Sequence, residues 1–244
     1  LPENCRPRLL SWSLSPEATA TVILRCQQEQ TSVHAAICAA FLLTIYQQSD
    51  IDVRSSELKC LIPIKIRQFL TQLIQEDFGY YFTRMIMAHT VTPNLSLWDL
   101  AHAIKSQLKQ KMSPDRIFTH LPEAQAFIAT LPSADLVKKV IQLNGYDVLV
   151  SNLGRLNIPR QYGHLQLAAF YGPSATSHFE NDRFVGVATL GDQMFFSLVY
   201  SESDISPTQI ERLQQEAMQL LISSIQTQQS FNIQASDLSI LIHS

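Results

Sequence analysis

The sequence predicts an α/β (α+β) domain with one mixed β-sheet and helices packed on it. Helical and strand patterns alternate through the first part of the chain, and strand patterns followed by one long helical pattern occupy the rest. The 244 residues, of which 46% are hydrophobic, are enough to bury the core of one large domain. No shift in composition after residue 14 marks an internal domain boundary.

Capping residues predict where several helices begin. A serine or threonine before a helix accepts a hydrogen bond from a free N–H group, and proline fits the first helical position. Ser15-Pro16, Thr31-Ser32, Ser96 with Asp99, and Ser206-Pro207 show these signals. The apolar face that follows Ser32 is wide and rich in alanine, which predicts a buried helix. The predicted helices cover about 16–28, a segment from residue 33, 65–75, 97–112, 133–144 and 207–226.

Short apolar runs predict the strands. Gly191-Asp192 joins two of them in the manner of a tight hairpin. Small residues at 186 and 188 alternate with valines, which predicts that one face of this strand packs against a helix. Residues 1–14 are predicted to be an extended connecting arm, and residues 15–244 form the domain. The predicted strands cover 58–63, 84–91, 146–151, 165–171, 184–190, 194–201 and a short segment near 238–242.

Charge and hydropathy exclude two classes of partner. The net charge is −3 and no basic stripe is present, so we expect no nucleic acid partner. No run of 18 apolar residues exists, so we expect no membrane span. Charged residues make up only 16% of the chain. This low value predicts either a surface covered by another domain or subunit, or a surface rich in Gln, Ser and Thr.

The four cysteines form no CxxC pair, which is typical of reduced, buried thiols in a cytoplasmic protein. His34 and Cys38 lie four residues apart on a predicted helix and so share a face. Two ligands do not make a metal site, and we expect no metal.

Motifs for several enzyme classes are absent from the sequence. It contains no G-x-S-x-G elbow, no phosphate-binding loop, no G-x-G-x-x-G and no adjacent pair of histidines. Each of the seven histidines alone is more typical of a surface or core position than of a catalytic base.

Three stretches remain as candidates for a site. Asp77–Phe82 is either a packed strand entry or an apolar wall beside a ligand. Ser151 and Asn152 end a predicted strand, where they either stabilise a developing oxyanion or cap the turn at Gly154. The hydroxyl-rich loop 174–177 follows Gly172-Pro173 and either lines a ligand channel or is an ordinary surface loop.

These stretches, in this order, resemble the C-terminal lobe of the condensation-type acyltransferases. That family includes peptide-synthetase condensation domains and phthiocerol dimycocerosyl transferases, and it shares the fold of chloramphenicol acetyltransferase. Thr31–Ala40 resembles its "T-x-x-A-x-x-x-A-A" helix, and Pro63–Arg67 resembles its "P-V-x-x-R" strand end. Ser151–Gly154 resembles its "S-N-x-G". At "G-N" the chain departs from the family, because Tyr80 replaces the asparagine and puts the role of that amide in doubt.

The resemblance implies a two-lobed acyltransferase with its active site in a channel between the lobes. The acyl donor would be a thioester of coenzyme A or of a carrier protein, the acceptor an alcohol or an amine, and no cofactor would be bound covalently. The family's base is the second histidine of H-H-x-x-x-D-G in the N-terminal lobe, and this chain has no such pair. Ser151 and Asn152 would position the reacting carbonyl. The channel would be lined by Tyr80, Tyr162, Ser174, Thr176 and Ser177.

Two hypotheses about function stay open at this point. The start at Leu1 and the missing H-H pair favour a cut C-terminal lobe that is inactive without its N-terminal lobe. The alternative is a non-catalytic binding or scaffold module with the same fold. The sequence does not determine the acyl group, the acceptor or the oligomeric state.

Overall fold

The computed structural model describes residues 6–49, 56–71, 77–114, 116–118, 126, 130, 145–176 and 182–240, the last sixteen of these by their backbone alone. Its strands are β1 (Pro7–Ser13), β2 (Ser56–Lys65), β3 (Phe82–Val91), β4 (Val148–Arg155), β5 (Gln161–Tyr162), β6 (Leu165–Gln166), β7 (Arg183–Leu190) and β8 (Gln193–Ser201). Its helices are α1 (Pro16–Gln28), α2 (Val33–Gln48), α3 (Leu97–Lys111) and α4 (Pro207–Ile240).

Six of the strands form one mixed sheet in the order β1-β8-β7-β4-β2-β3. β4 lies parallel to both of its neighbours, β2 and β7, and the remaining pairs are antiparallel. Strands β5 and β6 form a separate two-stranded hairpin. The predicted mixed sheet with packed helices is therefore confirmed.

The helices cover one face of this sheet. Side chains on a strand alternate between its two faces, and Ile62, Val150, Val187 and Phe196 point into the main core beside α2. Every residue of α2 from 35 to 44 is buried, which confirms the predicted buried helix. The opposite face, called the second face below, carries a smaller apolar cluster of Leu61, Leu149, Phe184 and Val199.

Hydroxyl caps begin the helices where the sequence predicts them. The Oγ atoms of Ser15, Ser32 and Ser96 accept hydrogen bonds from the backbone N–H three residues later, at 3.2, 3.1 and 3.1 Å. Ser206 Oγ accepts in the same way from Gln209 N at 3.3 Å. Each bond satisfies one of the N–H groups that a first turn leaves without a helical partner.

The strand predicted at 58–63 differs from the structure, because β2 runs through Pro63 to Lys65 and does not end at the proline. Its ladder to β4 pairs only Cys60 and Leu61. Proline therefore removes no hydrogen bond from that ladder. The predicted helix 65–75 is a single 3-10 turn, Arg67–Phe69, as far as the described residues extend.

Two other strand predictions are also wrong. Of the predicted strand 165–171, only Leu165–Gln166 is paired, because its partner is the two-residue strand β5 and not the main sheet. Residues 238–240 belong to α4 and not to a strand. The predicted helix 133–144 lies outside the described residues. The assignment of residues 1–14 as an arm stays a prediction, and within that segment Pro7–Ser13 pairs with β8.

The core contains buried thiols and an imidazole. Cys26, Cys38 and Cys60 are free and buried, and Cys38 Sγ lies 3.6 Å from His34 Nε2, so the predicted shared helix face is confirmed. In the described part of the chain, no cluster of three metal-ligating side chains occurs. No helix in that part is long and apolar enough to cross a membrane.

Burial makes His34 a source of acid sensitivity, because it lowers the pKa of His34 to about 4. The unfolded chain, with an ordinary histidine pKa near 6.5, therefore binds more protons than the folded chain between pH 6.5 and 4. Stability is greatest above this window and falls as the pH falls through it.

We expect His34→Gln to reduce the loss of stability between pH 7.5 and pH 5 by about 1 to 2 kcal/mol relative to the unsubstituted protein. Urea denaturation at the two pH values measures this difference. Gln47→Ala, at an exposed position on the same helix, is the control and is expected to keep the full pH dependence, because it removes no titratable group. Equal pH dependence in all three proteins would contradict the assignment.

Candidate functional site

Ser151 lies near the carboxyl end of β4, the strand with parallel neighbours on both sides. Its Cα is paired with Gly186 on β7, Gly186 with Ser197 on β8, and Ser197 with Ser11 on β1. These residues alternate with core residues, so the row lies on the second face, away from the helices. The carboxyl ends of parallel strands are a common place for ligand sites in α/β folds.

Ser151 and Asn152 point in opposite directions because they are consecutive residues of one strand. Asn152 is paired with Val187, a core residue, and its Oδ1 accepts a hydrogen bond from Gly154 N at 2.7 Å. That bond is the turn-capping arrangement, and Gly154 adopts the left-handed conformation that the turn needs (φ +69°). Among the described residues, the Ser151 hydroxyl has no hydrogen-bond partner, and Ser151 is the candidate that faces the second face.

A loop backbone lies directly on the sheet beside Ser151. A Cβ atom added at Gly186 would lie 1.8 Å from the carbonyl oxygen of Pro173, which is an impossible separation. The Pro173 carbonyl therefore occupies the space that any other residue at 186 would fill with its side chain.

Ser197 holds the same loop by hydrogen bonds. Its Oγ donates to the Pro173 carbonyl at 2.9 Å and accepts from Ser174 Oγ at 3.2 Å. Ser197 is fully buried, and these two bonds occupy its donor and one acceptor site. Tyr171 packs edge-to-face on Phe195 with ring centroids 5.3 Å apart. Residues 171–174 are thus fixed over β7 and β8, next to Ser151.

The prediction that one face of this strand packs against a helix is confirmed for the face that carries the valines, and the small residue Gly186 lies on the other face. The valines of β7 face the helices, whereas Gly186 faces the loop. Glycine is needed at 186 because the Pro173 carbonyl lies directly against the strand and leaves no room for a Cβ atom. The alternation of small residues was therefore a correct signal of close approach, and the sequence does not identify which element approaches.

The predicted channel residues lie at different places around this row. Ser174 and Thr176 are exposed on the loop beside Ser151, and Ser177 lies outside the described residues. Tyr162 is exposed on the β5–β6 hairpin, which follows β4 in the chain. Their roles in binding stay predictions.

Tyr80 lies just before the start of β3, where aromatic side chains are exposed. Its ring is 72% accessible and lies 4.0 Å from the ring of Phe82, measured between centroids. Phe78 is fully exposed. Arg67 stabilises the turn by donating from Nη2 to the Asp77 carbonyl at 2.8 Å and by lying 4.2 Å above the Tyr81 ring.

No described histidine lies in the row that carries Ser151. His34 and His89 point to the helix side, and His102 lies on α3. Burial lowers the pKa of His89, and the nearby charge of Lys111 lowers it further. These imidazoles on the helix side therefore do not face Ser151, which lies on the second face.

Gly186→Ala is expected to lower the free energy of unfolding by about 1 to 3 kcal/mol, because the new methyl group must displace the Pro173 carbonyl. Hydrogen exchange of the amides of residues 174–176 should also become faster. Gly163→Ala is the control, since its methyl group meets nothing within 4 Å and only its positive φ is strained. Unchanged exchange in Gly186→Ala would show that the loop does not depend on this contact.

Solved structures share this fold at low sequence identity. The epimerization domain from the third module of tyrocidine synthetase B superposes with a TM-score of 0.64 and 13% identity, covering 93% of this chain and 50% of that one. Trichothecene 15-O-acetyltransferase from Fusarium sporotrichioides superposes with a TM-score of 0.64 and 13% identity, covering 88% of this chain and 46% of that one. Polyketide synthase associated protein 5 from Mycobacterium tuberculosis superposes with a TM-score of 0.56 and 15% identity, covering 90% of this chain and 52% of that one.

This chain therefore spans about half the length of those structures. No curated protein sequence matches it. A family model described as the phthiocerol/phthiodiolone dimycocerosyl transferase C-terminus matches residues 3–201, which confirms the resemblance drawn from the sequence motifs. The chain therefore belongs to the family of phthiocerol/phthiodiolone dimycocerosyl transferase C-terminal regions.

Proposed function

We propose that this chain is the C-terminal half of an acyltransferase that moves an acyl group from a thioester to an alcohol or an amine. The donor is a thioester of coenzyme A or of a carrier protein, and it is a co-substrate, with no covalently bound cofactor. The observation that carries the proposal is the Ser151 hydroxyl, which faces the second face beside a loop held by Gly186 and Ser197.

Ser151 is suited to stabilise charge on the thioester oxygen. When the acceptor attacks the carbonyl carbon, negative charge develops on that oxygen until the C–S bond breaks. A hydroxyl fixed on a strand can donate to the oxygen without first reorganising, which lowers the barrier. The fixed loop holds the Ser174 hydroxyl at the side of the same space.

The general base comes from the half of the fold that this chain does not span. Within the family, the second histidine of H-H-x-x-x-D-G removes the acceptor proton, which then leaves with the thiol of the donor. The chain contains no H-H pair, and its described buried histidines face the helix side. We therefore assign proton transfer to the N-terminal lobe and positioning of the carbonyl group to this one.

Exposed apolar residues at the end of β4 and between β4 and β7 support docking of that other lobe. They are 40 to 74% accessible, although apolar side chains of this size are ordinarily buried. The segment includes the β5–β6 hairpin, which is not part of the main sheet. The exposed residues are Leu153, Ile158, Tyr162, Leu165 and Tyr171.

Location in the cytoplasm is part of the same proposal. The three described cysteines are free and buried, as expected for thiols in a reducing compartment. Coenzyme A and carrier-protein thioesters are intracellular donors, which is consistent with this assignment.

A non-catalytic binding or scaffold module is the second candidate. Tyr80 stands where the family has an asparagine, and no H-H pair is present in the chain. Such a module would bind the thioester or a carrier protein without turnover. Turnover by the full-length polypeptide separates the two candidates.

Ser151→Ala in the full-length polypeptide is expected to lower kcat about a hundredfold, since one oxyanion donor is lost. Release of the free thiol from octanoyl-coenzyme A, with primary alcohols and amines as acceptors, measures the rate. Ser11→Ala is the matched control, because Ser11 lies in the same row of the same face, on β1, three strands away from β4. Equal rates for both variants would refute the role of Ser151.

The polypeptide of residues 1–244 alone is expected to show no acyl transfer, because it contains no H-H-x-x-x-D-G base. The same thiol-release assay tests this expectation, with the full-length polypeptide as the positive control. Transfer by residues 1–244 at a rate comparable with that of the full-length polypeptide would refute the assignment of proton transfer to the N-terminal lobe.

A further inference from the structure

Two exposed cations lie on the second face close to Ser151. Arg84 on β3 is directly opposite Pro63 on β2, and Lys65 is directly opposite Phe82. Opposite residues of an antiparallel pair share a face, and this face also carries Leu61 and Ile86 of the second-face cluster. Lys65 and Arg84 are therefore diagonal neighbours at one end of the second face.

The strand register connects this pair with Ser151. β2 pairs in parallel with β4 at Cys60–Val148 and Leu61–Leu149. Continued by two residues, this register places Pro63 beside Ser151. Arg84, Pro63 and Ser151 then form one row, in which the Cα atoms of Arg84 and Ser151 are about 10 Å apart, two strand spacings.

Neither cation has a carboxylate partner among the described residues. Lys59, on the same strand and face but at its other end, lies 3.9 Å from Glu57. Arg67, close in sequence to Lys65, bonds to the Asp77 carbonyl. In a chain with a net charge of −3, these two exposed cations beside the candidate site form a local anion-binding surface.

Aromatic rings border the cation pair. Phe82 is the cross-strand partner of Lys65, and Tyr80 stacks on Phe82. Both rings are exposed. Exposed aromatic rings provide a stacking surface for a planar base, so the surface combines a phosphate-binding pair with a place for a nucleobase.

We propose that Lys65 and Arg84 bind the phosphate of the pantetheine arm of the acyl donor, with its thioester directed along the row to Ser151. This inference rests on the proposed function. The phosphate is shared by coenzyme A and by a carrier-bound phosphopantetheine. Adenine, which Tyr80 and Phe82 could stack, is present only in coenzyme A.

Calorimetric titration of the full-length polypeptide tests the assignment without requiring turnover. The probes are octanoyl-coenzyme A, octanoyl-phosphopantetheine and octanoyl-pantetheine, the last of which has no phosphate. The double variant Lys65→Gln/Arg84→Gln is expected to bind the two phosphate-bearing probes about tenfold more weakly, since charge-assisted hydrogen bonds are lost. Its affinity for octanoyl-pantetheine is expected to stay that of the unsubstituted protein.

Lys59→Gln is the matched control, as it removes a charge from the same face of the same strand, away from Ser151. It is expected to bind all three probes normally. The inference is overturned if the unsubstituted protein does not bind octanoyl-coenzyme A, if the double variant binds it normally, or if all three probes weaken equally.

Two comparisons separate this inference from other possibilities. Tighter binding of octanoyl-coenzyme A than of octanoyl-phosphopantetheine identifies coenzyme A as the source of the phosphate, and equal binding identifies a carrier protein. Phosphate-dependent binding without thiol release would refute the proposed transfer and leave this inference standing. Acyl transfer that depends on Ser151 but not on Lys65 and Arg84 would refute this inference and leave the proposed transfer standing.

Discussion

Complete burial of α2 is the constraint on which the rest of the fold depends. Ten consecutive residues, 35 to 44, are buried, and a helix buried on all sides needs neighbours on all sides. The helix contacts β2, β3 and β4 on one side and α1, α3 and α4 on the others. Its alanines let these elements approach closely, and Thr44 Oγ1 satisfies its own hydrogen bond on the Ala40 carbonyl at 2.8 Å. All the helices that contact α2 therefore lie on one face of the sheet.

Because the helices cover one face, the candidate site lies on the other. β4 is the strand with parallel neighbours on both sides, and its carboxyl end presents Ser151 to the second face. The neighbouring strand accepts a backbone carbonyl at Gly186, and Ser197 fixes that carbonyl by a hydrogen bond. A hydroxyl, a fixed loop and two cations thus lie within a few strand spacings of one another. We propose that this arrangement positions a thioester, and among the described residues no histidine lies in the row of Ser151.

The sequence predicted the architecture well where local chemistry decides it. The caps at Ser15, Ser32 and Ser96 and the Gly191-Asp192 hairpin were confirmed, because each depends on contacts within a few residues. The sequence also identified Ser151 as a candidate, since a polar residue at the end of a predicted strand can be recognised from the sequence alone. It did not separate Ser151 from Asn152, because the choice depends on which face of the strand is covered by helices.

The sequence by itself determined the fold class, the helix starts, the burial of α2 and the lack of an H-H base, since these follow from composition, periodicity and motif. Only the tertiary structure brought Gly186 and Ser197 to Pro173, and Arg84 to the face of the sheet that carries Ser151. These residues are separated by 13 to 67 positions in the chain. Strand order and register bring them together, and neither the order nor the register follows from the pattern of residues along the chain.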